Sequence, residues 1–156
     1  MVVATLSTLT FFNAENYDAL VSNTASFCQK LLKKHEQCQA ITMASSLYYS
    51  AAKQDGAKVM DQLKRALKIA DVCMNQPKNM GLVVNLLNKY LYFFSKDVNF
   101  MSAEDINNLS DLIKEHIDQI DDREIIKEGL KFLANTKAAV ELKSVENPKF
   151  KDLVLP

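Results

Sequence analysis

Residues 57–74 read AKVMDQLKRALKIADVCM, and this stretch decides the fold. Val59, Leu63, Ala66, Leu67, Ala70 and Met74 recur at three- and four-residue steps, which places them on one face of a helix. Lys58, Asp61, Lys64, Arg65 and Lys68 form the polar face. A helix with one apolar stripe must bury that stripe against other elements, so the rest of the chain has to supply them.

The flanking segments do so. Residues 79–96 carry Val83, Leu86, Leu87, Tyr90, Phe93 and Phe94. Residues 103–119 carry Ile106, Leu109, Ile113 and Ile117, and Ser102 with Glu104 and Asp105 fits a helix start. A last helix starts at Asp121 or Asp122 and runs to about residue 142 through Ile125 or Ile126, Leu130, Leu133, Lys137 and Val140. On the other side, residues 36–54 carry Ala40, Met43 or Ala44, Leu47 and Ala51, and stop at Asp55-Gly56. Residues 15–34 carry Leu20, Thr24, Phe27 or Cys28, and Leu31, and end in cations. Residues 1–12 are apolar and lack a start signal. Asn147-Pro148 breaks the helical pattern, and Phe150, Leu153, Val154 and Leu155 follow.

Three glycines and three prolines in 156 residues leave little for the tight turns of a sandwich or barrel. The expectation is an all-α chain of about seven helices. A helical segment spans residues 1–143, and a short apolar, extended tail spans residues 144–156. A chain of this length buries about two-thirds of its surface, enough for one core and one domain. The expected helix starts, near residues 15, 36, 57, 79, 103 and 122, place every second start about 42 to 46 residues apart. This is the period of an α-solenoid built from HEAT-like antiparallel helix pairs. A compact bundle of short-looped helices produces the same pattern.

Nineteen basic residues balance nineteen acidic ones. That removes the electrostatic pull toward nucleic acid and the polybasic signal for a membrane surface. No apolar run is long enough to insert into a bilayer, and the first residues do not read as a signal peptide. Cys28, Cys38 and Cys73 are odd in number without a paired spacing, which fits reduced thiols of a cytoplasmic protein.

Catalytic constellations are missing. His35-Glu36-Gln37-Cys38-Gln39 resembles a zinc-protease helix, but Gln39 stands where the second histidine is needed. Gly56, Gly81 and Gly129 are too isolated for a phosphate loop, and the paired acids sit at helix starts. No catalytic residue, metal ligand or cofactor is expected, and a site built from His116 and scattered acids is the enzymatic alternative. The aromatics say more. Tyr48 continues an apolar stripe and reads as core. On a continuous helix Tyr49 falls with Thr42, Ser45, Ser46 and Ala52 on a small polar face, and Tyr92 also lies off its stripe. Tyrosines so placed suit a protein interface, or a second packed face in a multi-helix array.

Four stretches carry a family resemblance. Glu15-Asn16 is followed by residues 26–34, which end in Lys30-Leu31-Leu32-Lys33-Lys34. Leu47-Tyr48-Tyr49-Ser50 is the second stretch. Asp55-Gly56 followed by KVMDQLKRALKIA over residues 58–70, with Cys73-Met74, is the third and most specific. Residues 86–94, LLNKYLYFF, are the fourth. Over residues 3–120, and more weakly to the end, the chain resembles the extreme C-terminal part of the large α-solenoid subunit of retromer, the vacuolar-protein-sorting scaffold. The loop before Asp55-Gly56 is shorter than in that family, and residues 97–128 diverge.

The resemblance implies a cofactor-free scaffold with two partners. One is the metallophosphoesterase-fold retromer subunit, for which Tyr49 and Tyr92 are the contact candidates. The other is a second copy of the solenoid, with Lys58, Lys64 and Arg65 facing Glu15 and Asp18 in a weak, salt-dependent pair. It implies a cytoplasmic protein, peripheral on endosomal membranes through the assembled coat. A standalone helical-bundle adaptor remains the architectural alternative.

Overall fold

The computed structural model describes residues 3, 5–6, 13–50, 53–73, 80–96, 98–120 and 123–156. The described residues hold six α-helices, and the all-α class expected from the sequence is what they show. Most of the apolar segment 1–12, the helix start at Asp121 or Asp122, and Met74 lie outside the described residues. The chain divides into two compact units, Met1–Cys73 and Met74–Pro156.

The first unit contains α1 (Ala14–Gln29), α2 (Lys34–Ala44) and α3 (Gly56–Cys73). Asn13 starts α1 by accepting the Asn16 amide at 2.9 Å. Helix α2 packs on both α1 and α3. Its pairing with α1 is antiparallel, because Tyr17 near the start of α1 donates its hydroxyl to the Leu47 carbonyl at 3.0 Å, while Gln37 near the start of α2 donates to the Gln29 carbonyl. Cys38 early in α2 reaches the Ala66 carbonyl late in α3 at 3.4 Å, and beyond the end of α2 the Tyr48 carbonyl accepts the Asp55 amide just before α3, so α2 and α3 also run oppositely. Val59, Leu63, Ala66, Ala70 and Cys73 are buried along α3, while Leu67 on the expected stripe is half-buried.

The helix expected over residues 15–34 ends at Gln29, and a larger departure from the expected boundaries follows α2. The helix expected to run to residue 54 ends at Ala44 and passes through a 3₁₀ turn, Ser45–Tyr48. Two-residue strands follow, β1 (Tyr49–Ser50) and β2 (Lys53–Gln54), paired antiparallel with Tyr49 opposite Gln54. The reason lies in the hydrogen bonds. Thr42 and Ser45 turn their hydroxyls onto the carbonyls of Cys38 and Thr42, a back-bonding that bends helices. The Leu47 and Tyr48 carbonyls, which a longer helix needs, instead accept from the Tyr17 hydroxyl and the Asp55 amide.

The second unit contains α4 (Met80–Ser95), α5 (Ala103–Asp118) and α6 (Arg123–Glu146). Helix α4 is buried on most sides and contacts both others. Ser102 caps α5 as expected: its hydroxyl accepts the Asp105 amide at 3.2 Å and Asp105 accepts the Ser102 amide at 3.0 Å. Helices α4 and α6 run parallel. Asn88 meets Thr136, and a Cβ added at Gly129 would strike Met80, so the offset holds over two turns. The six helices start at residues 14, 34, 56, 80, 103 and 123, so alternate starts lie 42 to 47 residues apart. Helix α2 packs on its sequence neighbours α1 and α3, and α4 packs on its neighbour α5 and on α6, the next helix but one, contacts of the kind a solenoid-like fold makes.

Helix α6 runs to Glu146, past the expected end. The chain after it is not simply extended. Pro148–Asp152 form a 3₁₀ turn that buries Phe150, and extended backbone begins at Leu153.

Candidate functional site

The interface candidates fall on both units. In the first, Tyr48 is buried with a lysine, Lys58, 5.8 Å above its ring, and so is core, as its spacing suggested. Tyr49 is half-buried and belongs to β1, not to a helix. The helical argument that grouped it with Thr42 and Ser45 is therefore corrected: those two residues are buried core, not a polar outer face. In the second unit Tyr92 is 45% exposed on α4. Lys89 and Lys96 lie 4.9 and 5.6 Å from its ring centroid, and Phe93 meets it edge-on at 5.3 Å. Burial pushes the Lys89 ammonium below its ordinary pKa.

The self-association candidates all lie on the first unit. Glu15 and Asp18 are exposed on α1, and Lys58, Lys64 and Arg65 are exposed on α3. Arg65 is engaged within its own chain. Its Nε donates to Asp61 at 2.9 Å, and its Nη1 to Gln29 at 3.4 Å. Lys58 pairs with Asp55 at 3.5 Å.

Sequence reasoning missed a cleft. Between α4 and α6 lies a space of about 380 Å³ whose lining includes Val84, Asn85, Asn88, Phe132, Asn135 and Thr136. It is continued by a smaller pocket of about 160 Å³ that Tyr92, Leu91, Val140, Lys143 and Phe150 share. Phe132, 49% exposed, lies one residue off the expected stripe of α6, and Leu130, expected in the core, is exposed. The off-stripe aromatic was the available signal. The first unit has its own apolar outcrop, where Phe27 is 70% and Leu32 95% exposed among Lys30, Lys33 and Lys34. Among the described residues no group of histidine, cysteine and acidic side chains is placed to hold a metal ion. Nor is any helix among them long and apolar enough to cross a membrane.

The profile of the vacuolar protein sorting-associated protein 35 (Vps35) family matches residues 1–116. The chain belongs to the Vps35 family. Vps35 of Schizosaccharomyces pombe is 32% identical over 127 residues, which is 77% of this chain and 15% of that protein. Vps35A of Arabidopsis thaliana is 36% identical over 124 residues, 73% of this chain and 16% of that protein. Vps35 of Dictyostelium discoideum is 25% identical over 158 residues, covering 98% of this chain. The chain thus spans under a fifth of these Vps35 relatives. The family match takes in α1 to α4 and nearly all of α5, and so includes Tyr49, Tyr92 and the charged candidates on α1 and α3.

Proposed function

We propose that this chain is a C-terminal solenoid segment of a retromer scaffold subunit. It holds the metallophosphoesterase-fold subunit and supports pairing of two scaffold copies. The observation that carries this reading is the Vps35 match across residues 1–116, on an all-α, solenoid-like chain. The job needs surface and shape rather than chemistry, and exposed aromatics on rigid helices supply anchors of the kind that dominate interfaces. Tyr92, presented from a buried helix between two lysines, is the stronger anchor; Tyr49, on a short hairpin, is the second. In this reading the protein is cytoplasmic and reaches endosomal membranes through the assembled coat, in the sorting of membrane cargo.

The test is direct binding to the purified metallophosphoesterase-fold subunit, followed by calorimetry. A micromolar or tighter complex that Tyr92→Ala weakens about thirtyfold supports the reading. A folded chain that shows no binding at 100 µM overturns it and leaves the standalone adaptor.

A further inference from the structure

We propose that the second unit contains a peptide-binding seat, whose resident ligand is the chain's own segment 147–156. The seat is formed by α4, α5 and α6, and it accepts a peptide whose phenylalanine anchor sits in a 3₁₀ turn followed by extended backbone. This rests on contacts independent of the scaffold reading above.

The segment is held as a bound peptide is held. Its anchor is Phe150, 3% exposed, which meets the Phe94 ring edge-on at 5.2 Å and lines one pocket with Val140 and Leu91. Its backbone is read by one side chain. The Asn107 amide donates from Nδ2 to the Asp152 carbonyl at 3.1 Å and accepts the Val154 amide at Oδ1 at 2.8 Å. A carboxamide can satisfy a backbone donor and a backbone acceptor two residues apart together, whatever the side chains there. Lys149 donates to the Phe94 carbonyl and lies 4.7 Å from the Phe94 ring centroid. Beyond Phe150 nothing in the segment is buried: Lys151, Asp152 and Val154 are exposed, and Leu153, Leu155 and Pro156 are half-exposed.

One ring and a few polar contacts are a small attachment, and Asn147-Pro148 supplies a break between α6 and the segment. The segment keeps its seat because it is tethered. A short tether gives an effective concentration in the millimolar range, so a free peptide of the same sequence competes poorly. Removing the anchor in cis empties the seat without touching its walls. The vacated seat joins the α4–α6 cleft through the pocket that Phe150 lines beside Tyr92. A partner peptide of the same character, displacing the segment, would gain that cleft as well.

The experiment uses the full chain and a fluorescent peptide of residues 147–156, read by anisotropy. The Phe150→Ala chain is expected to bind the peptide, and the unaltered chain to bind it at least tenfold more weakly. A peptide with Phe150→Ala, or an added Asn107→Ala in the chain, should lose about tenfold. Equal binding by the two chains, or none by a folded Phe150→Ala chain, overturns the proposal. Hydrogen exchange of the unaltered chain gives a second readout that does not depend on the variant folding. The Val154 amide should exchange well before the α4 core does. Exchange of both only together, through global opening, also overturns it.

Discussion

Thr136 on α6 donates its hydroxyl to the Asn88 side-chain oxygen on α4 at 3.0 Å, across 48 residues of sequence. The same hydroxyl lies 3.2 Å from the Phe132 carbonyl of its own helix. This bond ties two parallel helices together where both line the cleft. Asn88→Ala should cost about 1 kcal/mol, the net worth of an ordinary hydrogen bond. Pairing it with Thr136→Val should cost less than the two single changes together, because both remove one contact. Urea unfolding of the four chains measures the coupling; strict additivity would show that the bond does not tie the helices together.

Gly129 sits where α6 passes over the start of α4. A Cβ there would clash with Met80 Cγ and lie 3.2 Å from Met80 Cβ. Gly129→Ala gains about 1 kcal/mol of helix propensity and meets about 1–3 kcal/mol of overpacking. We expect net destabilisation, seen as a lower Tm. A second change, Met80→Ala, should make Gly129→Ala less costly or favourable. An unchanged penalty in that background would place the cost elsewhere.

Three tyrosines separate core from surface. Tyr48→Ala should destabilise the first unit by about 3 kcal/mol or more, since the ring is buried. Tyr92→Ala should leave helical content intact and weaken partner binding. Tyr49→Ala should keep α1 to α3 while loosening the hairpin, with a smaller loss of binding. Circular dichroism and calorimetry on the same samples distinguish these outcomes. Unfolding by Tyr49→Ala alone would move that residue to the core.

Alkaline pH should destabilise the protein through two buried groups. Burial pushes the Cys38 thiol from about 9.0 to about 11, and the Tyr90 phenol from about 10.0 to about 12. Each stays protonated in the fold while the unfolded chain loses its proton. Stability from Cys38 is therefore complete below pH 9 and fades toward 11, and that from Tyr90 fades between 10 and 12. Tyr90→Phe should flatten the upper part of the decline. Below pH 8 Cys38 should resist thiol reagents unless the chain is unfolded. Rapid labelling of the native protein would contradict its burial.

Pairing of two copies through Glu15, Asp18, Lys58, Lys64 and Arg65 should be weak and sensitive to salt. Exposed charge pairs contribute at most about 1 kcal/mol each and are screened. Arg65 must also loosen its contacts to Asp61 and Gln29 before serving a partner. Lys64→Glu should therefore reduce association more cleanly than Arg65→Glu. Sedimentation at 50 mM and 500 mM salt reads this, and an identical mass across salt and concentration would remove these charges from the interface.

Periodic signals survive in the sequence because they are local. The stripes of α3, α4 and α5 and the Ser102 cap depend on residues within a few turns, and the structure keeps them, with Leu67 and Ile117 half-buried at the stripe edges. The all-α class and the lack of a glycine-rich loop follow from composition. Tertiary structure decided what depends on distant partners. Helix α2 stops at Ala44 because Tyr17 and Asp55 take the carbonyls that a longer helix would need. Phe132 lines a cleft because α4 lies beside α6 in parallel, a relation no window of sequence contains. Phe150 is buried because Phe94 and Asn107, more than forty residues earlier, receive the segment that carries it. A hydrogen-bond acceptor or an apolar seat supplied from afar leaves no mark on the residues that use it.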